Sequence, residues 1–242
     1  MRINKYLADK KVSTRRGADE LIKEKKVFIN GKLAELGSQV NEDDTVEVKG
    51  AKEKAYKYFA YNKPIGVETD SPKEGLFPLG RLDKASHGLL ILTNDGRITD
   101  SLLNPKYIHE KEYVVRTSNK LRSNFKAKME AGVPIRDGNT LRALGVSNGA
   151  RNYITKPCKV KILNPARNAS HSDAGGDFEF RVILTEGKKH QIRRMCSALF
   201  QEIADLKRER IMNIKLGNLK SGGVREINGE ELKTFLNSLL SQ

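Results

Sequence analysis

The chain has 242 residues, with 45 Lys and Arg against 30 Asp and Glu, and a net charge of +15. That length can bury roughly 70% of the unfolded chain's surface, and 38% hydrophobic with 31% charged residues excludes an intrinsically disordered chain. No apolar run approaches the ~20 residues of a membrane span, and the N-terminus MRINKYLADKK lacks the apolar centre of a secretion signal. Only Cys158 and Cys196 are present, with no C-x-x-C, which argues against a disulfide scaffold or a thiolate metal centre. A soluble cytoplasmic protein is expected, and its positive excess calls for a polyanion, of which nucleic acid is the commonest.

The first fifty residues read as a unit. Arg2 to Ala8 predicts a short helix with Ile3, Tyr6 and Leu7 on one face. Ser13 or Thr14 caps a second helix carrying Ala18, Leu21 and Ile22. The period then changes: Val27 and Ile29 alternate, Asn30-Gly31 is a strong hairpin turn, and Val46 and Val48 close a small sheet. Residues 1–32 hold ten basic and four acidic side chains, whereas residues 33–50 hold one and five. The helical half is the one suited to phosphates.

Residues 49–57, KGAKEKAYK, have no periodicity and read as a linker. A mixed α/β body follows. KYFAYNKP predicts a strand ended by Pro64, LLILT a buried strand closed by Asn94-Asp95-Gly96, and Glu112 to Arg116 another strand. Asp95 is expected only to make its turn. Ser123 to Ala131 reads as helix, Cys158 to Leu163 as extended chain, and residues 164–177 as a polar excursion. Phe178, Phe180, Val182 and Leu184 alternate as in a half-buried strand. Ile192, Met195, Cys196, Leu199 and Phe200 fall on one helix face, as do Leu232, Phe235, Leu236, Leu239 and Leu240 near the C-terminus.

Three segments concentrate chemistry. In PLGRLDKASHG, Arg81 and Asp83 precede a buried strand; they read either as a structural ion pair or as a carboxylate kept anionic for nucleophilic or base work. In HEKEYVV, Tyr113 stands on a strand beside Lys111 and Glu112; it reads as a core ring or as a platform for a splayed base. In EGKKHQIRRM, Gly187 to Arg194 carries Lys188, Lys189, Arg193 and Arg194 without an acid at a helix N-terminus, where anions are favoured. Arg193 adjoins the apolar Ile192, and a buried guanidinium there needs a carboxylate, for which Asp83 is the obvious candidate. No P-loop, G-x-G-x-x-G or G-x-S-x-G is present, and His87, His109, His171 and His190 are scattered. No metal site is therefore expected.

G-R-L-D-K-A-S-H-G-L-L-I-L-T-N-D-G at 80–96, K-E-Y-V-V at 111–115 and E-G-K-K-H-Q-I-R-R-M at 186–195 resemble the ribosomal branch of the pseudouridine synthases. R-I-N-K-Y-L-A through V-F-I-N-G-K resembles the S4 RNA-binding domain that such enzymes carry, and the similarity covers nearly the whole chain. A-G-V-P-I at 131–135 and R-I-M-N at 210–213 point within the branch to its large-subunit members. The resemblance implies an α+β protein. An S4 domain at 1–48 and a linker at 49–57 would precede a catalytic domain at 58–242 built on a mixed, mainly antiparallel sheet.

It implies Asp83 as catalytic aspartate, Tyr113 as the ring that stacks on the target uracil, and Arg193 as the basic partner of the aspartate. Ile192 lines the pocket, Arg81 helps extrude the nucleotide, and Lys189 and Arg194 assist substrate binding. His190 receives no role. Asn4, Lys5, Ser13, Arg15 and Arg16 are the expected S4 contacts to RNA. Uridine isomerisation is redox-neutral, so no cofactor is implied. The implied partner is ribosomal RNA, of the 23S type, with a tRNA as a second candidate; a monomer is the default. The competing reading is a non-catalytic RNA-binding or ribosome-assembly protein.

Overall fold

A computed structural model describes residues 1–50, 55–136, 152–163 and 179–240. Part of the expected linker, the 164–177 excursion and Phe178 lie outside them.

The N-terminal unit contains α1 (Ile3–Asp9), α2 (Arg15–Lys23), β1 (Val27–Ile29), β2 (Lys32–Leu33) and β3 (Val46–Val48), with strand order β2-β1-β3. Of the two candidate caps, Thr14 is the one that caps α2, its Oγ1 accepting from the Gly17 N–H at 2.9 Å. Asn30 and Gly31 both take positive φ, 50° and 75°, as a two-residue hairpin turn between β1 and β2 requires. Ile3, Leu7, Ala18, Ile22 and Val27 form one core at the predicted spacings.

The larger body runs β4 (Tyr58–Lys63), β5 (Phe77–Leu79), β6 (His87–Thr93), α3 (Ile98–Leu103), β7 (Lys111–Thr117), α4 (Phe125–Ala131), β8 (Pro134–Arg136), β9 (Asn152–Ile154) and β10 (Lys159–Leu163). It continues through β11 (Glu179–Leu184), α5 (Gln191–Ala198), β12 (Ile203–Ile211), β13 (Ile214–Lys215), β14 (Val224–Glu226) and α6 (Gly229–Leu240). Among the described residues nine strands form one sheet. Its order is β10-β11-β7-β12-β6-β4-β14, with β13 on β12 and β5 on β6. Every pairing is antiparallel except β12 with β6. The fold is α+β with a mixed, mainly antiparallel sheet.

Among the described residues, two of the three hydrophobic clusters on this sheet lie under helices. Val115, Phe125, Met129, Phe180, Val182, Ile192, Met195 and Leu206 make one, under α4 and α5. Tyr58, Leu89, Ile91, Ile98, Ile211, Phe235 and Leu239 make the other, under α3 and α6. In β6, Leu90 and Leu92 pack on Tyr61 and Leu82 away from Leu89 and Ile91, so this strand is buried on both faces. That is why it reads as a continuous apolar run.

The two halves meet where β12 runs parallel to β6, in the rows Lys207 with His87 and Arg208 with Gly88. Gly88 has φ +102°, and a Cβ there would lie 2.3 Å from the Arg208 carbonyl oxygen. The close approach of the two strands requires this glycine.

Two expectations need correction. Phe200 does not continue the buried face of α5, because the helix ends at Ala198; Leu199, its C-cap, is half-buried and still packs against that core. Phe200 takes φ 59°, is 69% exposed and lies under the Arg122 guanidinium at 4.5 Å. Asp95 does more than make a turn. Fully buried, it accepts the Tyr58 hydroxyl at 2.6 Å and both Nε and Nη2 of Arg97 at 2.8 and 2.9 Å. Burial alone would raise its pKa; the Arg97 and Tyr58 contacts outweigh that and hold it below the usual carboxylate value.

The N-terminal unit touches the larger body through Lys11 and Thr14. Lys11 donates its ammonium to the Leu239 carbonyl at 2.7 Å, in the last turn of α6. Thr14 abuts the Asn94-Asp95-Gly96 turn: a Cβ on Gly96 would meet Thr14 Cγ2 at 2.4 Å.

Candidate active site

The segment 80–86 leaves β5 and enters β6, so the sheet itself sets its two ends. Between them nearly every residue is fastened. Leu82 exchanges hydrogen bonds with Thr69, its N–H donating to Thr69 Oγ1 at 3.0 Å and its carbonyl accepting from the same hydroxyl at 2.5 Å. Lys84 O accepts from Gly66 N at 2.8 Å, and Asp83 O accepts from Ser86 N at 2.9 Å. Arg208 reaches Arg81 O from β12. Arg193, in the first turn of α5, donates to Ala85 O at 2.9 Å and Ser86 Oγ at 3.2 Å. The Asp83 carboxylate thus projects from a backbone with little freedom.

Asp83 borders a cavity of about 820 Å³. Arg81, Tyr113, Lys189, Ile192 and Arg193 share its wall, so six of the expected site residues converge from three parts of the chain. Ile192 is 5% exposed and supplies apolar lining. Tyr113 and Lys111 come from alternate positions of β7, and Leu206 and Arg208 from β12. Arg194 does not join them; its guanidinium turns back onto the Lys189 carbonyl.

The expected pairing of Arg193 with Asp83 is not what the structure has. Among the described residues no ion pair joins them. The guanidinium is engaged by the loop, and the carboxylate faces His190, whose Nε2 lies 3.2 Å from Asp83 Oδ1. His190 takes a left-handed backbone, φ 53°, immediately before α5. Arg193 acts on Asp83 by holding residues 85 and 86, and His190 meets the carboxylate directly.

Other contributors were missed in the sequence. Lys63, fully buried at the end of β4, donates to Pro64 O at 2.9 Å and Val67 O at 2.8 Å. Burial lowers its pKa, while Glu68 and Asp83 oppose that shift. It is therefore a buried cation within electrostatic reach of Asp83. Lys111 and Arg208 also line the cavity. A Lys-Pro after a strand is the only sequence signal for Lys63; nothing local marks Arg208.

In the N-terminal unit, Lys5, Arg15 and Arg16 are exposed and Ser13 is half-buried. Asn4 is turned inward, its Nδ2 donating to Asp19 Oδ1 at 2.9 Å.

Comparison with known proteins gives this arrangement its context. Residues 57–198 match the RNA pseudouridylate synthase family, and residues 1–46 match the S4 domain. The chain belongs to the RNA pseudouridylate synthase family. It is 35% identical over 250 residues to the dual-specificity RNA pseudouridine synthase RluF of Escherichia coli (strain K12), covering 96% of this chain and 77% of that one. It is 34% identical to the ribosomal large subunit pseudouridine synthase B of Bacillus subtilis (strain 168), covering 96% and 94%. A crystal structure of a pseudouridylate synthase superposes with a TM-score of 0.64, at 26% identity and 99% coverage of both chains.

Proposed function

We propose that this protein isomerises a uridine of large-subunit ribosomal RNA to pseudouridine, with Asp83 as its catalytic carboxylate. The observation that carries this reading is the convergence of Asp83, Tyr113, Ile192 and Arg81 on one cavity, beneath a family match that spans them. The relative named for the ribosomal large subunit supports that class of substrate.

Residues 1–48 serve as the RNA-binding unit, 49–57 as linker and 58–242 as catalytic domain. The target base leaves its stack, at a cost of a few kcal/mol, and Tyr113 receives it by stacking. Arg81, exposed at the cavity mouth, assists extrusion. Asp83 then acts on the sugar or the base while Ile192 excludes water. Lys189 at the mouth and Lys5, Arg15 and Arg16 on the N-terminal unit meet phosphates, with Asn4, Ser13 and Arg194 as supporting contacts. Nothing in the reaction demands a cofactor, because the bond lost and the bond made involve the same base and the same sugar.

The test maps pseudouridines in ribosomal RNA from cells with and without the protein, and repeats the reaction in vitro with Asp83→Asn. The expected result is one or a few uridines unconverted without the protein. The variant should bind RNA within threefold of wild type and form no product. Substantial turnover by Asp83→Asn removes the assignment of the catalytic group; unchanged RNA in cells lacking the protein favours a non-catalytic RNA-binding role.

A further inference from the structure

The cavity holds two cations that the roles above leave unused. Arg208 is 3% exposed. Its Nε donates to Leu89 O at 2.7 Å and its Nη1 lies 3.4 Å from Arg81 O, while Nη2 is buried with no partner among the described residues. Lys111 reaches only the His109 carbonyl, at a marginal 3.5 Å. Burial first, and then the neighbouring Arg208 charge, push its pKa down to about 8.

Among the described residues no carboxylate pairs with either charge. Of the acids on the cavity wall, Glu186 is occupied by the Tyr153 hydroxyl, the Lys156 N–H and Gln191, and Asp83 faces His190. Glu68 acts on Lys63. Two adjacent, desolvated, unneutralised cations are costly to keep unless an anion visits them.

Their place in the sheet says which anion. Arg208 lies opposite Tyr113 in the β12–β7 register, and its guanidinium carbon is 6.0 Å from that ring's centre. Lys111 is two residues before Tyr113 on the same strand, hence on the same face. The pair therefore flanks the ring on which a base would stack. A flipped nucleotide enters such a pocket base first, leaving its phosphate at the mouth, where exposed Arg81, Lys84 and Lys189 already stand.

We propose that Arg208 and Lys111 form an anion subsite for the carbonyl oxygens of the target uracil, holding the negative charge that builds there during the rearrangement. This rests on the uridine-isomerising reading of the site. When the C1′–N1 bond breaks, its electron pair goes to N1 and spreads onto O2 and O4. C5 then bonds to C1′, its hydrogen leaves as a proton, and N1 takes one up, so no electron enters or leaves. If the Asp83 carboxylate adds to C6 instead, the displaced pair runs through C5 and C4 onto O4. Both routes load O4, and preorganised cations at that point stabilise the charged species more than the resting base.

The experiment measures single-turnover rates at saturating enzyme, and RNA dissociation constants, for wild type, Lys111→Met and Lys111→Arg, with thermal unfolding as a check on folding. Lys111→Met should slow the saturated rate about 100-fold with RNA affinity within threefold. Lys111→Arg should restore the rate to within about tenfold and hold it above pH 8, where the wild-type ammonium is lost. An unchanged saturated rate in a folded Lys111→Met overturns the proposal. Weakened RNA binding with a shallower salt dependence and an intact saturated rate overturns it too, in favour of a phosphate contact. If wild type itself makes no pseudouridine, the uridine reading fails instead, which the same assay shows separately.

Discussion

The two faces of strands β7 and β12 handle charge in opposite ways. On one, Glu112 accepts from Arg181 and from Arg210 Nε at 2.6 Å, Glu110 accepts from Arg210 Nη2 at 2.9 Å, and Glu209 accepts from Arg181 and Lys207. On the other, Lys111 and Arg208 face the cavity with only carbonyl oxygens as hydrogen-bond partners among the described residues. A β-bulge separates them. Between Arg208, opposite Tyr113, and Arg210, opposite Glu112, β12 advances two residues while β7 advances one. In a regular strand both arginines would share a face; the extra residue sends one to the ion-pair network and the other to the site. Balanced charge builds structure here, and unbalanced charge is kept where a ligand can complete it.

Substitutions on the two faces should therefore act with opposite signs. The largest effect is expected for Arg210→Met, which strips Glu110 and Glu112 of a shared partner and should cost about 3 kcal/mol of stability. Urea unfolding measures this, and the saturated reaction rate of the folded variant should stay within threefold of wild type. A smaller effect, in the other direction, is expected for Lys111→Met. Its ammonium titrates near 8 instead of at 10.5, so the folded state strains to keep it charged at neutral pH, and its removal should add about 2 kcal/mol. A destabilised Lys111→Met would erase the contrast between the faces.

The pH dependence sharpens the same contrast. Between pH 8 and 10.5 the unfolded chain holds a proton on Lys111 that the folded one has released, so wild-type stability should rise with pH relative to Lys111→Met. Glu112 has the reverse sense. Burial would raise its pKa, but Arg210 and Arg181 hold it below 4.5. Its contribution is complete above the ordinary glutamate value and is lost as pH falls through the depressed one. The acid limb of a stability profile should accordingly flatten in Glu112→Gln by about 1 kcal/mol. The smallest effect is expected far from both faces: Arg15→Ala and Arg16→Ala should each lower the salt slope of RNA binding by about one ion, read from affinities at several ionic strengths.

Much of this architecture is legible in the sequence where a period or a turn is clean. The helical spacing of Ala18 and Ile22, the Asn30-Gly31 turn, the apolar run of β6 and the alternation of β11 all lead to the observed elements. β12, at the centre of the sheet, left no such trace, because Lys-Arg-Glu-Arg fills its middle and register shifts at two points destroy the period of two. The strands β5, β13 and β14 have three, two and three residues, too few for any period. At the site, motifs named Asp83, Tyr113 and Ile192, since unusual residue types cluster near them. The partner of Asp83 was misread because a run such as His-Gln-Ile-Arg-Arg supplies several donors, and only the left-handed turn at His190 decides which one arrives. Arg208 was invisible because its significance lies in which face a bulged strand presents.

The narrow seam between β6 and β12 has one more implication. Two paired residue rows, the Gly88 contact, the His87–Asp205 pair and the reach of Arg193 and Arg208 to the segment around β6 join the half built on α4 and α5 to the half built on α3 and α6, and the cavity draws lining from both, Leu206 and Ile192 from one and Leu79 and Ile211 from the other. Under the proposed function, a nucleotide lodged there would act as a rivet across the joint. By mass action it opposes any parting of the halves, so substrate occupancy and the mechanical coherence of the molecule rise and fall together.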